Sequence, residues 1–399
     1  MENNQNILLK IKQLATEFSH EAINIRRQLH SIPELAFKEY QTSALIAKKL
    51  SEWQIPFHQG IAKTGIVAMI NPDKADIKTI ALRSDMDALP LNENNDIDYK
   101  STHQGVMHAC GHDVHMASLL GVAYILKKLE PNLKGAVKLI FQPSEEKYPG
   151  GASVMIKEGV LENPKPAHIF GQHVLPTLEA GKIGLKPGKY MASTDEVFIT
   201  VNGKGGHAAT PELIIDPIVI AAHIIVALQQ VVSRLANPGI PTVLSFGRIN
   251  ANGRTNIIPD TVLFEGTFRT YSEEWRAKAH QKIALISEKI AESMGGTAEV
   301  FIDKGYPYLV NDIELTRNVK SHAIEYLGAD NVVDLEIRMT AEDFAYYSQI
   351  LPGCFYRLGS AIKDKPITNL HSSTFDVDES CLETGMGFMA WLAYRELEG

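Results

Sequence analysis

Cysteine is scarce in this chain: three residues in 399, at Cys110, Cys354 and Cys381. So few thiols exclude a disulfide framework and fit a reducing compartment such as the cytoplasm. Long apolar runs are also missing. No stretch of about 18 consecutive apolar residues occurs, so no membrane span is expected. The opening Met1-Glu2-Asn3-Asn4-Gln5-Asn6 carries neither the basic nor the apolar part of a secretory leader. Positive charge is not in excess, since 39 Lys+Arg against 47 Asp+Glu leaves −8. With no block of like charge to form a local basic patch, a nucleic-acid partner is not expected. Repeats and low-complexity tracts are absent as well.

What remains is an ordinary globular composition, 45% hydrophobic and 22% charged, long enough for roughly two to three domains. Residues 7–30 have helical spacing, with Ile7, Leu8, Ile11, Leu14, Ala15 and Phe18 on one face. A second helix is expected over 39–53. Short β-branched runs follow at 65–70, 79–82, 136–141 and 168–170, with a helix at 116–129, which indicates an α/β sheet that is at least partly parallel. The middle changes character. Strands at 196–201, 242–249, 261–270 and 298–302 and helices at 216–236 and 272–294 give the order β-α-β-β-α-β, the ferredoxin-like signature. The expected organisation is therefore a first α/β part over 1–187, an inserted α+β domain over 188–303, and a second α/β part over 304–399. Helix 216–236 is apolar nearly all round, more than one small sheet can cover. A homodimer through the inserted domain, or a fully internal helix, would account for it.

Ligands of open α/β sheets bind beyond the carboxyl ends of the strands. The strand runs lead there into Asp85-Met86-Asp87, into Ser144-Glu145-Glu146 and into Gln172-His173. A fourth cluster, His108-Ala109-Cys110-Gly111-His112-Asp113-Val114-His115, precedes an apolar run. Donors at this density repel one another when buried unless a cation neutralises them. The paired Cys-x-x-Cys spacing of structural zinc is absent, whereas mixed N, O and S donors on separate segments suit a catalytic site with one or two metals. A thiolate donor favours Zn or Mn over Mg or Ca. Taken singly, each of these residues also suits a solvated turn, a surface histidine or a small buried thiol.

The motifs together resemble the M20 metallopeptidases, in particular their amidohydrolase subfamily. They stand as Arg27-Gln28-Leu29-His30 with Pro33-Glu34-Leu35, Asp85-Met86-Asp87-Ala88-Leu89-Pro90, His108-Ala109-Cys110-Gly111-His112-Asp113 and Phe141-Gln142-Pro143-Ser144-Glu145-Glu146. Gly205-Gly206-His207-Ala208-Ala209, Asn256-Ile257-Ile258-Pro259-Asp260, Ala341-Glu342-Asp343-Phe344 and Leu370-His371 complete the set, in order over nearly the whole chain. The resemblance implies a zinc-exopeptidase-like catalytic domain with a ferredoxin-like lid or dimerisation domain inserted. It implies two divalent ions held by Cys110, His112, Glu146, His173 and His371, with Glu145 as general base. His207 would polarise the scissile carbonyl, and Asn256 and Arg269 would contact substrate, Arg269 as a carboxylate clamp. Asp87 would orient a metal ligand. Three departures stand out: Ser144 where alanine is usual, Gln172 where leucine is usual, and Glu212 where a histidine often stands; the last two bear on pocket polarity.

The implied activity is metal-dependent hydrolysis of N-acyl amino acids. Dipeptidase or carboxypeptidase action on the same site, a cysteine hydrolase using Cys110 with His112 or His115, and a non-catalytic amino-acid- or peptide-binding module are the alternatives.

Overall fold

The computed structural model describes residues 2–364 and 366–398; Met1, which opens the polar stretch noted above, lies outside them. The chain forms two compact units, one made of the residues up to Tyr190, Val310–Ile337 and those from Asp343 on, the other of Met191–Leu309 with Arg338–Glu342.

In the first unit an eight-stranded mixed sheet runs in the order Phe57–Ile61, Gly65–Ile70, Ala136–Gln142, Thr79–Asp85, His168–Glu179, Gly353–Ala361, Ile183–Leu185, Val332–Asp334. Its four central strands are parallel. Every residue of Thr79–Asp85 and Ala136–Gln142 is buried, as expected for strands covered on both faces. Helices Glu2–Ser31, His112–Lys128 and Cys381–Glu398 pack against one another. Ile11, Ile25, Leu119, Val122, Phe388 and Leu392 are fully buried in the core they share with the sheet. The stripe expected over 7–18 is the buried face of the first helix.

Two elements differ from expectation. The helix placed at 116–129 begins at His112, because Gly111 caps it in the left-handed region (φ 84). Its first turn is so rich in polar residues that apolar periodicity starts only later. The strand placed at 168–170 continues to Glu179, since Gly353–Ala361 pairs with it in parallel far past Phe170. That partner lies about 180 residues away, and no local signal announces it.

In the second unit four antiparallel strands run in the order Thr242–Asn250, Thr261–Thr270, Asp195–Asn202, Thr297–Lys304, a ferredoxin-like arrangement with helices Pro217–Gln230 and Glu273–Ser293 on the sheet. The helix expected over 216–236 is regular only to Gln230 and continues as a π-helical turn, Val231–Leu235. Arg338–Glu342, expected in the C-terminal part, joins this unit. The Arg338 carbonyl accepts from the Ala192 N–H and the Tyr271 hydroxyl, and the Met339 carbonyl from Arg269.

A buried ion pair anchors the second unit. Arg276 donates to Asp195 from Nε (2.9 Å) and from a terminal nitrogen, and His280 Nε2 lies 2.7 Å from Asp195 Oδ2. Burial raises the Asp195 pKa, but His280 and Arg276 overcome it and hold the carboxyl below its ordinary range. Its stabilising contribution is therefore present above the unfolded value near 3.9 and is lost as pH falls through the lower folded value. Asp195→Asn leaves the Arg276 charge buried and only partly compensated. A loss of about 3–5 kcal/mol in stability is expected, measurable as an earlier thermal or urea transition; an unchanged transition would contradict this role.

Candidate metal centre

Register brings the polar residues to one level. Asp85 pairs with Gln142, and Arg83 with Gly171, so two residues further along Asp85 stands level with His173. The 110–112 segment meets the same region at the helix start. A Cβ on Gly111 would lie 2.5 Å from Val174 Cγ2, so only glycine fits there, both by space and by φ.

Cys110 Sγ is 3.4 Å from His173 Nε2. His371 Nε2 is 3.2 Å from Glu146 Oε1, and His112 Nε2 is 3.9 Å from the same oxygen. Donor atoms within 4.8 Å of one another link Cys110, His112 and His173 in one group, Cys110, Glu146 and His371 in a second, and His112, Glu145 and Glu146 in a third. The structure thus brings all five sequence-predicted ligands and Glu145 together. His371, at φ 61, is held through its N–H on the Ala109 carbonyl (2.8 Å). Asp87 organises two of the segments: its carbonyl takes His112 Nδ1 (2.8 Å) and its carboxylate takes the N–H groups of Glu145 (2.8 Å) and Glu146 (3.0 Å).

Hydrogen bonding suits these residues to metal. His112 and His173 both engage Nδ1 with a backbone carbonyl, Asp87 and Val174 respectively, each at 2.8 Å. That tautomer leaves each Nε2 lone pair for a cation. His112 Nε2 is buried without a hydrogen-bond partner, which is costly unless another group satisfies it. Electrostatics agree. Burial opposes charge on His112, yet Asp85, Asp87 and Glu146 push its pKa up to about 10. Burial, Glu146 and Glu145 push the Cys110 thiol well above its usual value. A region that protonates its histidine and its thiol is one that a cation would stabilise, and the residues present fit a pair of divalent ions.

Sequence reasoning missed a supporting network. Asp85 Oδ1 takes His115 Nδ1 (2.6 Å), and the other nitrogen of His115 accepts the Val174 N–H (2.9 Å). Arg83, fully buried, spans Asp85 and Asp343 at 2.7 Å each, and Gln142 Nε2 also reaches Asp343. An arginine directly after the apolar 79–82 run was the available signal. Behind the site, Asp113 accepts Arg26 (2.7 Å) and His30 (2.8 Å), which accounts for the Arg27-to-His30 motif lying so near the ligands.

The cysteine-nucleophile alternative does not suit this geometry. His115 has both ring nitrogens engaged, by Asp85 and by the Val174 N–H, and a thiol pKa raised by burial and Glu146 is the reverse of an activated thiolate. Ser144 uses its hydroxyl on the Lys147 carbonyl (3.1 Å). Gln172 is buried against Tyr356, whose hydroxyl donates to it (3.3 Å), so this departure bears on core packing rather than pocket polarity. Glu212 lies exposed in a short 3-10 turn.

His207, Asn256 and Arg269 belong to the second unit. His207 pairs with Ile257 across a two-stranded ladder, and the Asn256 carbonyl accepts the Ala208 N–H (3.1 Å). His207 Nδ1 accepts the Ala209 N–H (3.0 Å), so a neutral ring carries its proton on Nε2, as an exposed donor. Arg269 is half-buried and donates to the Met339 carbonyl (3.1 Å).

Comparison with known proteins gives consistent matches. The pattern of peptidase family M20/M25/M40 matches residues 81–395. An N-acetyl-L-cysteine deacetylase of Bacillus subtilis is 39% identical, over 95% of this chain and 88% of the relative. Thermostable carboxypeptidase 2 of Saccharolobus solfataricus is 40% identical, over 97% and 98%. The crystal structure of a dinuclear metal-binding M20 peptidase from Bacillus subtilis superposes with a TM-score of 0.82 at 36% identity, covering 96% of this chain and 99% of that one.

Proposed function

The chain belongs to peptidase family M20/M25/M40, and on that footing we propose that it hydrolyses the amide bond of N-acyl amino acids at a pair of divalent ions. The protein is an amide-hydrolysing, metal-binding enzyme. The observation that carries the finer reading is the unsatisfied His112 Nε2 among Cys110, Glu146 and His173, with the Glu145 carboxylate beside them. Cys110, His112, Glu146, His173 and His371 would hold the ions, Zn or Mn by the thiolate in the set. When bound, such a pair polarises the amide carbonyl and makes water at the site more acidic. Glu145 takes a proton from that water and passes it to the leaving amine. His207 supplies an N–H to the developing oxyanion. Arg269 and Asn256 bind the substrate, Arg269 through its carboxylate.

The deacetylase relative supports an N-acyl substrate, and the carboxypeptidase relative supports the runner-up, cleavage of a peptide's last residue. A panel of N-acetyl, N-benzoyl and indole-acetyl amino acids against dipeptides and N-blocked dipeptides separates them. The N-acyl amino acids are expected to turn over fastest; no release from any of them defeats the reading.

A homodimer through the second unit completes the proposal. Its edge strand Thr242–Asn250 has one free side, and Ile218, Val219 and Val226 are exposed on the neighbouring helix while Ile220, Ile224 and Leu228 are fully buried. Pro217–Leu235 is long and apolar enough to cross a membrane, but its buried face lies on the sheet, and a second copy is the occupant we favour for the rest. Light scattering is expected to give twice the chain mass, and Val226→Glu to halve it; a monomeric parent would exclude the dimer. The three buried free thiols support a reducing compartment such as the cytoplasm.

A further inference from the structure

The turn that carries Glu145 is gripped by two carboxylates. Three consecutive backbone N–H groups leave it. Those of Glu145 and Glu146 go to Asp87, and that of Ser144 goes to Glu39 Oε1 at 3.0 Å. Glu39 belongs to no part of the site described above. It stands at the N-cap position of helix Tyr40–Glu52, where its side chain makes no hydrogen bond to that helix, and it is completely buried. Its Oε1 also accepts the Phe37 N–H (2.9 Å), and its Oε2 accepts the Thr64 hydroxyl (2.5 Å). No cation stands at hydrogen-bond distance from it among the described residues.

Two further facts bear on this grip. Ser144 is held at φ 54, a left-handed conformation that serine seldom adopts and that persists only where the surroundings enforce it. The same residue directly precedes Glu145. Moreover, a carboxyl buried without a cation is costly to keep. Burial pushes the Glu39 pKa up to about 7, with Thr64 pulling it down and Asp87 adding to the rise.

We propose that Glu39 is a positioning residue for the general base: beside Asp87, which holds the Glu145 and Glu146 N–H groups, it fixes the backbone at Ser144, so that the Glu145 carboxylate stays in line with the reacting water. This inference rests on the amide-hydrolase reading and on Glu145 as its base. It concerns kcat rather than substrate or metal affinity, because Glu39 touches neither.

The test uses the metal-loaded full chain with an N-acetyl amino acid, and measures kcat, KM, metal per chain and thermal midpoint for Glu39→Leu, Glu39→Gln and Thr64→Val. Glu39→Leu is expected to lower kcat by about 10²-fold, the size of a displacement near 1 Å, with KM and metal content close to the parent. Glu39→Gln keeps an oxygen for the Ser144 N–H and is expected to recover most of that loss. Thr64→Val loosens the second oxygen and is expected to reduce kcat by a few-fold at unchanged metal content. Parent kcat in a folded Glu39→Leu, or a loss matched by lost metal, overturns the proposal. If Glu39→Leu does not fold, unchanged kcat in both other variants overturns it, and a kcat loss in Thr64→Val at full metal content supports it. A parent enzyme that cleaves no amide instead sinks the underlying reading, an outcome visible before any variant is made.

Discussion

Glu145→Gln is expected to lower kcat by roughly 10²–10⁴-fold while the protein keeps its full complement of metal. The residue is nearly buried, and its backbone is tied to Asp87 at 2.8 Å, so the amide variant has no reason to leave the turn. Glutamine cannot take a proton from water at neutral pH, and it cannot return one to a leaving amine. Its carboxylate lies within 4.8 Å of donor atoms on His112 and Glu146, close enough that a ligand role must be told apart from a base role. Metal content does this. Loss of turnover with metal retained identifies the base, whereas loss of metal with turnover makes Glu145 a sixth ligand. A near-normal rate removes it from the chemistry altogether.

Exhaustive chelation is expected to abolish activity, and Zn or Mn to restore it. Without cations, His112 carries a proton that Asp85, Asp87 and Glu146 stabilise, and the Cys110 thiol stays protonated. Such a site neither polarises a carbonyl nor yields a nucleophile at neutral pH. Because a thiolate and three imidazoles dominate the set, Mg and Ca, which take oxygen donors, are expected to restore little. Metal binding must displace those protons, so apparent affinity should rise with pH through the neutral range. Turnover that survives chelation with no residual metal would contradict the account.

Much of this was legible before any coordinates, for identifiable reasons. Gly65–Ile70, a β-branched run bounded by turn residues, and Thr261–Thr270, beside a Gly-containing connection, have the bounds expected of them. The helix expected from 272 starts there, with Ser272 accepting the Trp275 N–H at 3.2 Å. Donor residues at strand ends were visible because polar residues interrupt apolar runs there. Features built from distant partners were not visible. The strand through His173 depends on Gly353–Ala361, and the Arg83–Asp343 and Glu39–Ser144 contacts join segments 260 and 105 residues apart. Glu39 in particular reads as an ordinary helix-start carboxylate; only burial reveals that it faces inward. The start of helix His112–Lys128 was obscured for the opposite reason, since its first turn is spent on polar side chains rather than core.

The central claim is that Cys110, His112, Glu146, His173 and His371 together hold two cations. Anomalous diffraction from crystals grown with Zn or Mn tests it most directly. The account predicts two peaks per chain, both about 2.0–2.3 Å from donor atoms of these five residues. A single peak, or peaks that leave Cys110 and His173 without a metal neighbour, would contradict it.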